Sequence, residues 1–323
     1  MSRAAKPGAL ARALAAGPVV LDGGMSNQLE ACGHDLSDAL WTARLLAQRP
    51  DAIAAAHAAY FAAGAQVAIT ASYQASFEGF ARRGLSRDQA AGLLRRSVEL
   101  ARRAARSTPY ETGAPDPPPP RFVAASVGPY GAVLADGSEY RGRYGLTVAQ
   151  LETFHRPRIE TLADAAPDAL ALETIPDLDE AEALLRVAGS VGLPCWLSYT
   201  IAGGHTRAGQ PLGEAFALAR GTDAVIAVGV NCCAPADVAD AVRLAAETTG
   251  KPVVAYPNSG ETWDAATHAW QGSNSFDAAL VRSWATAGAR LIGGCCRVGP
   301  EGIAALARAL KQPSPATRHI GKV

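Results

Sequence analysis

Eight short runs rich in Val, Ile, Leu and Ala recur along the chain: Val19 to Asp22, Val67 to Ser72, Phe122 to Val127, Ala169 to Glu173, Cys195 to Thr200, Val225 to Asn231, Val253 to Tyr256 and Arg290 to Gly293. Most are separated by stretches of helical periodicity, the alternation that parallel βα units produce. Eight such units in 323 residues predict a closed (β/α)8 barrel rather than an open doubly wound sheet. One barrel fills a chain of this length, so residues 1–323 are expected to form a single domain. Its core is expected over about 18–311, with short mobile termini.

The first connection shows the pattern clearly. Pro50 can open a helix, Ile53, His57, Tyr60 and Phe61 recur at three- and four-residue steps, and Gly64 can close it. Thr108 to Pro120 holds six prolines and reads as a poorly structured surface loop. The opening Ala9-Leu10-Ala11-Arg12-Ala13-Leu14 reads as a short surface helix; its acid-free, Arg-containing character also suits a transit peptide.

Charge narrows the partners. Lys+Arg and Asp+Glu stand at 30 each, which leaves no excess to track a phosphate backbone or an anionic bilayer. No apolar run is long enough to span a membrane. Nucleic-acid and membrane partners are therefore not expected, and a cytoplasmic setting is. Six cysteines, four of them in two adjacent pairs, do not form the evenly spaced framework of a small secreted protein. Reduced thiols or metal ligands fit better.

Active sites of (β/α)8 barrels lie at the C-terminal ends of the strands, and this chain places polar groups at most of them. The ends read Asp22-Gly23-Gly24, Ser72-Tyr73-Gln74, Ser126, Glu173-Thr174, Asn231-Cys232, Pro257-Asn258-Ser259-Gly260 and Gly293-Gly294-Cys295-Cys296-Arg297. Cys232, Cys295 and Cys296 fall on strands six and eight, two places apart in the ring, where a metal could sit between them. A catalytic zinc takes three protein ligands and keeps one position open. For Cys295 and Cys296 to reach one ion the backbone must leave strand geometry, which Gly293 and Gly294 permit. Cys32 and Cys195 read as ordinary buried thiols. Cys233 is ambiguous beside Cys232; Cys232 is favoured. Asp22 and Glu173 could bind an amino group or exchange protons, or could be salt-bridged. His57 and His155 read as packing or surface residues, and His205 sits in a glycine-rich loop.

These residues resemble the homocysteine S-methyltransferases, in particular the bacterial and plant branch that uses S-methylmethionine. The resemblance runs over nearly the whole chain. It is carried by Leu21-Asp22-Gly23-Gly24, Leu40-Trp41, Thr70-Ala71-Ser72-Tyr73-Gln74-Ala75, Ser126-Val127-Gly128-Pro129-Tyr130-Gly131 and the stretch from Leu134 to Gly142. Glu173-Thr174-Ile175-Pro176, Gly229-Val230-Asn231-Cys232, Tyr256-Pro257-Asn258-Ser259-Gly260-Glu261 and Gly293-Gly294-Cys295-Cys296-Arg297 complete it. It implies that Cys232, Cys295 and Cys296 hold zinc. It implies that Asp22 and Glu173, with Gly23, Gly24, Ser126 and Asn231 beside them, hold homocysteine. It also implies that Trp41 and Tyr73 border the methyl donor, whose sulfonium charge suits aromatic faces. One departure is local: the family usually has Thr-Glu where this chain has Asn27-Gln28.

The implied reaction moves a methyl group from S-methylmethionine or S-adenosylmethionine to the thiol of homocysteine, in a monomer or small homo-oligomer. The stretch Ala135 to Tyr144 is a candidate lid. A betaine donor, or another thiol acceptor, is the nearest alternative. A zinc hydrolase would call for His and carboxylate ligands, and no His-x-His occurs at a strand end. A zinc-stabilised or redox-sensing binding protein would call for four closed ligands.

Overall fold

Each apolar run contains a strand. β1 (Val19–Val20), β2 (Val67–Ile69), β3 (Phe122–Val127), β4 (Ala169–Ile175), β5 (Cys195–Tyr199), β6 (Val225–Asn231), β7 (Val253–Tyr256) and β8 (Ala289–Ile292) form one parallel sheet in the computed structural model. Neighbours in sequence are neighbours in space, and the first strand pairs with the last, Val19 opposite Leu291. A parallel bridge from Leu21 to Val67 joins the remaining edges. The ring is the expected (β/α)8 barrel. The structure describes residues 8–36, 41–111, 115, 117–264 and 269–311, with the side chains of 41–42, 262–264, 269–270 and 278 left aside.

The buried apolar residues separate into two clusters. The larger fills the layer between strands and helices, where helix Pro50–Ala62 contributes Ile53, Tyr60 and Phe61 and ends before Gly64 at φ 99. The smaller lies inside the ring and takes alternate strand residues, as the period of two requires: Val19 and Leu21, Val67 and Ile69, Phe122 and Ala124, Ala169 and Ala171. One large side chain, Trp196, shares that interior with these alanines and Ala227.

Helix Ala9–Ala16 corrects the expectation of a surface helix. Leu10 and Leu14, each 1% exposed, belong to the inner cluster, so the helix closes one end of the barrel. The proline-rich stretch has no regular secondary structure among its described residues. Its start is tied down, because the Arg121 guanidinium donates to the carbonyls of Ala105, Thr108 and Pro109 and lies 3.9 Å from the Tyr110 ring centre.

Candidate active site

The inward face of the ring changes chemistry at its last positions. Phe122 and Ala124 are followed by Ser126, Ala169 and Ala171 by Glu173, Trp196 by Ser198, Ala227 and Gly229 by Asn231. All four polar residues are buried.

β4 delivers Glu173 through a bulge. Its pairing with β5 shifts register between Leu172 and Ile175, and Thr174 there takes φ 60, a left-handed conformation uncommon for a residue with a Cβ. Asn231 holds that backbone in place. Its Oδ1 accepts from Thr174 N at 2.7 Å and Ser198 Oγ at 2.8 Å, and its Nδ2 donates to Thr174 Oγ1 at 2.7 Å.

Cys232, just past β6, is also left-handed at φ 49. That turn aims its Sγ to 2.7 Å from Cys295 Sγ. Cys296 joins them, and the three Sγ atoms all lie within 4.8 Å of one another. Cys233 faces the other way, into the layer between strands and helices, and belongs to no such group among the described residues.

Gly293 and Gly294 lie just past the end of β8, where the backbone leaves the strand, and they act there by close approach. Neither takes a positive φ; the left-handed residues flanking the group are Cys232 and Arg297. A Cβ on Gly293 would lie 2.6 Å from Leu21 Cβ, and one on Gly294 2.5 Å from the Val298 side chain. Across from them, a Cβ on Gly24 would lie 2.7 Å from Cys295 O, and one on Gly23 would overlap Val298 O. The two Gly-Gly turns after β1 and β8 therefore pack backbone against backbone. The turn after β7 braces the other side: Cys295 N donates to Pro257 O at 2.6 Å, Cys296 N to Asn258 Oδ1 at 3.1 Å, and Ser259 N to Cys296 O at 3.0 Å.

A cavity of about 120 Å³ opens beside the sulfurs. Of the residues expected on ligands, Gly23, Gly24, Tyr73, Ser126, Glu173 and the three cysteines line it. Asp22 and Asn231 do not. Asp22 lies behind the wall, accepting from Ile69 N at 2.8 Å and from Tyr256 OH at 3.2 Å. Asn231 is the brace of Thr174. Leu40 and the side chain of Trp41 lie outside the described residues. The wall also includes Met25, Asn27, Tyr140, Thr174 and Tyr256, none of them singled out in the sequence as a ligand contact. For Tyr256 a signal exists, since it is the last inward residue of β7. Asn27 bridges the wall to the thiols, its Oδ1 accepting from Arg297 N at 2.6 Å. Gln28 instead reaches Cys32 Sγ at 3.5 Å, and Cys32 is exposed rather than buried as expected. His57 is fully buried and held neutral, burial lowering it to about 3; His205 is exposed on a short hairpin and lines no part of the cavity.

Among the described residues no Lys, Arg or His lines the cavity, and Glu173 on its wall repels Asp22 behind it. Burial pushes Glu173 up to about 8, against a hydrogen bond from Ser126 Oγ, and Cys232 adds to the rise. Burial likewise raises Asp22 well above its usual value, against the bond from Ile69 N. Hydrogen bonds from Cys232 and Cys295 hold Cys296 well below the usual thiol range, whereas Cys295 is pushed up, first by its contact with Cys232. Three soft sulfurs at one point suit a thiophilic metal ion.

Fold and site together define a (β/α)8 barrel with three thiols gathered at its strand ends. The profile of the homocysteine S-methyltransferase family matches residues 19–310, and the chain belongs to that family. It is 46% identical to homocysteine S-methyltransferase 4 of Zea mays, over 92% of this chain and 91% of the relative. It is 46% identical to the homocysteine S-methyltransferase of Escherichia coli, over 89% and 94% of the two chains. The crystal structure of the homocysteine methyltransferase MmuM from Escherichia coli in its metallated form superposes with a TM-score of 0.79, at 43% identity, over 90% of this chain and 96% of that one.

Proposed function

We propose that this site transfers a methyl group from S-methylmethionine to the thiol of homocysteine, giving methionine, with zinc held by Cys232, Cys295 and Cys296. The observation that carries the reading is the convergence of three thiols on the wall of a cavity lined by Glu173 and aromatic rings and, among the described residues, by no cationic side chain. Such a cavity favours cations, and the reaction supplies three kinds: the metal, the ammonium groups of two amino acids, and a sulfonium. Bound zinc would lower the pKa of a substrate thiol placed at its open position.

The chain's own residues bind and orient. Glu173, hydrogen-bonded by Ser126, is placed to receive the ammonium of homocysteine, whose charge would favour the ionised carboxylate against its burial. Asp22 supports the same corner through Tyr256 OH. The Tyr73 ring on the cavity wall would attract the sulfonium. The substrate sulfur forms its bond to the methyl carbon as the methyl–sulfonium bond breaks, and the thiol proton passes to solvent. The departing group is a neutral thioether that needs no proton, so no general acid is assigned; positioning the two sulfurs in line is the protein's contribution. Small molecules are the only partners this reading requires, and a cytoplasmic setting keeps the thiols reduced. Among the described residues no helix is long and apolar enough to cross a membrane.

Zinc content per chain, measured beside methionine formation from homocysteine with S-methylmethionine and S-adenosylmethionine as rival donors, tests the proposal. About one zinc per chain and faster turnover with S-methylmethionine is the expected result. Zinc with no methionine from either donor would remove the reaction, and full activity in a zinc-free sample would remove the metal.

A further inference from the structure

The segment between β3 and helix Val148–Asp164 folds over the cavity. Ala135, Gly137, Gly142 and Arg143 are all left-handed, with φ between 54 and 77, and a 3-10 turn, Ser138–Tyr140, lies between them. The turn is docked rather than loose. Ser138 N donates to Asp136 Oδ1 at 2.9 Å, and Arg141 N to Ser138 O at 3.0 Å. A Cβ on Gly131 would lie 2.5 Å from Glu139 N, so the backbone of the turn rests directly on helix Tyr130–Leu134.

Docking sets two neighbours to different tasks. Tyr140 forms part of the cavity wall. Glu139 is 4% exposed, and its Oε2 accepts no hydrogen bond. Among the described residues no cation pairs with it; Arg141, two residues on, lies 3.7 Å from Asp136 instead. Burial raises its pKa, joined by Asp136 and Cys232 and opposed by a backbone hydrogen bond and by Arg141, and Glu139 in turn contributes to raising that of Tyr73 on the cavity wall. A carboxylate in that position carries a desolvation cost that its backbone hydrogen bond and the distant Arg141 offset only in part.

We infer that Glu139 is the specificity-determining residue for the charge of the methyl donor: a buried carboxylate beside the cavity, without a cation of its own, that a sulfonium seated against Tyr73 and Tyr140 completes. The inference rests on the proposed reading of the site as taking a sulfonium donor. It adds to that reading a reason why a charged donor is preferred over a neutral molecule of the same shape. Aromatic faces alone supply part of the attraction; an ionised group beside them makes the preference steep.

The test compares Glu139→Gln with the wild type, both zinc-loaded. KM for S-methylmethionine is measured at saturating homocysteine, and the inhibition constant is measured for homoleucine, in which a CH group stands where the donor has its sulfonium. The expected result is a rise of about tenfold or more in the donor KM, with homoleucine inhibition and zinc content unchanged. Glu139→Asp, which keeps the charge, should retain most of the preference; if Glu139→Gln fails to fold, this variant with homoleucine carries the test, and equal losses for donor and isostere would overturn the role. An unchanged donor KM in Glu139→Gln, or parallel weakening of donor and homoleucine, would overturn it as well. A wild-type protein that transfers no methyl from S-methylmethionine would overturn the inference together with the reading beneath it, whereas an active wild type with an indifferent Glu139→Gln would overturn the inference alone.

Discussion

At the barrel mouth, Glu173, Asp22 and three thiols crowd together with, among the described residues, no cationic side chain on the cavity wall. Between helices Val148–Asp164 and Leu178–Val191 lies a second buried polar cluster of the opposite kind. His155 Nε2 sits 2.8 Å from Glu180 Oε1, both side chains fully buried, and Arg158 Nη2 sits 2.8 Å from His155 Nδ1 while also donating to Gly128 O. Tyr130 N donates to Glu180 Oε1 at 2.6 Å. Here acid and base answer each other inside the protein. Burial lowers Arg158 only to about 10, with Glu180 resisting the drop, and raises Glu180 to about 7. Arg158 therefore stays charged near neutrality, beside a Glu180 whose ionisation it favours. A balanced cluster holds structure, fixing Gly128 and Tyr130 behind the cavity wall; an unbalanced one waits for ligands that bring the missing sign.

The contrast predicts a double dissociation. Cys296→Ser should remove zinc and lower methyl transfer by at least about a thousandfold, or ~4 kcal/mol, while the thermal unfolding midpoint of the metal-free protein stays put. A variant that kept both metal and rate would take Cys296 out of the mouth cluster. Arg158→Met should do the reverse, costing about 3–5 kcal/mol in urea unfolding because it leaves Glu180 buried without its partner. The protein that remains folded should keep its KM for homocysteine, and an altered KM at unaltered stability would merge the two clusters into one. The smallest effect is expected where a mouth residue also serves as a brace. Asn27→Ala removes the acceptor for Arg297 N at a cost of about 1 kcal/mol, and competition with a chelator should show zinc held several-fold less tightly with little change in unfolding.

The two clusters also differ in how visible they are in the sequence. The mouth is legible because two periodicities intersect there: strand ends mark the catalytic face of a barrel, and adjacent cysteines after Gly-Gly at one end match a cysteine at another. What that reasoning misplaces is depth. Asn231 stands at a strand end like Glu173, yet its amide is spent on Thr174 and Ser198, and nothing in the local pattern separates a brace from a contact. The left-handed turn at Cys232 is equally silent, since no glycine marks it. The outer cluster is illegible for a different reason. His155 and Arg158 lie on a helix of ordinary composition, and their meaning depends on Glu180 arriving from the next helix, a pairing that no spacing encodes. Helix Ala9–Ala16 was misread on the same ground, because alanine-rich segments with two leucines suit a surface or a plug equally.

That plug has a consequence for the order of events as the chain is made. Leu10 and Leu14 are made early, but the cluster that shelters them includes Trp196, Val254 and Leu291, the last of these made nearly three hundred residues later. β1, which follows at once, finds its partner only in β8. This helix and β1 must therefore wait, the leucines uncovered, until β8 has been made, and during that interval they offer a natural handle for chaperones and a natural risk of misassembly.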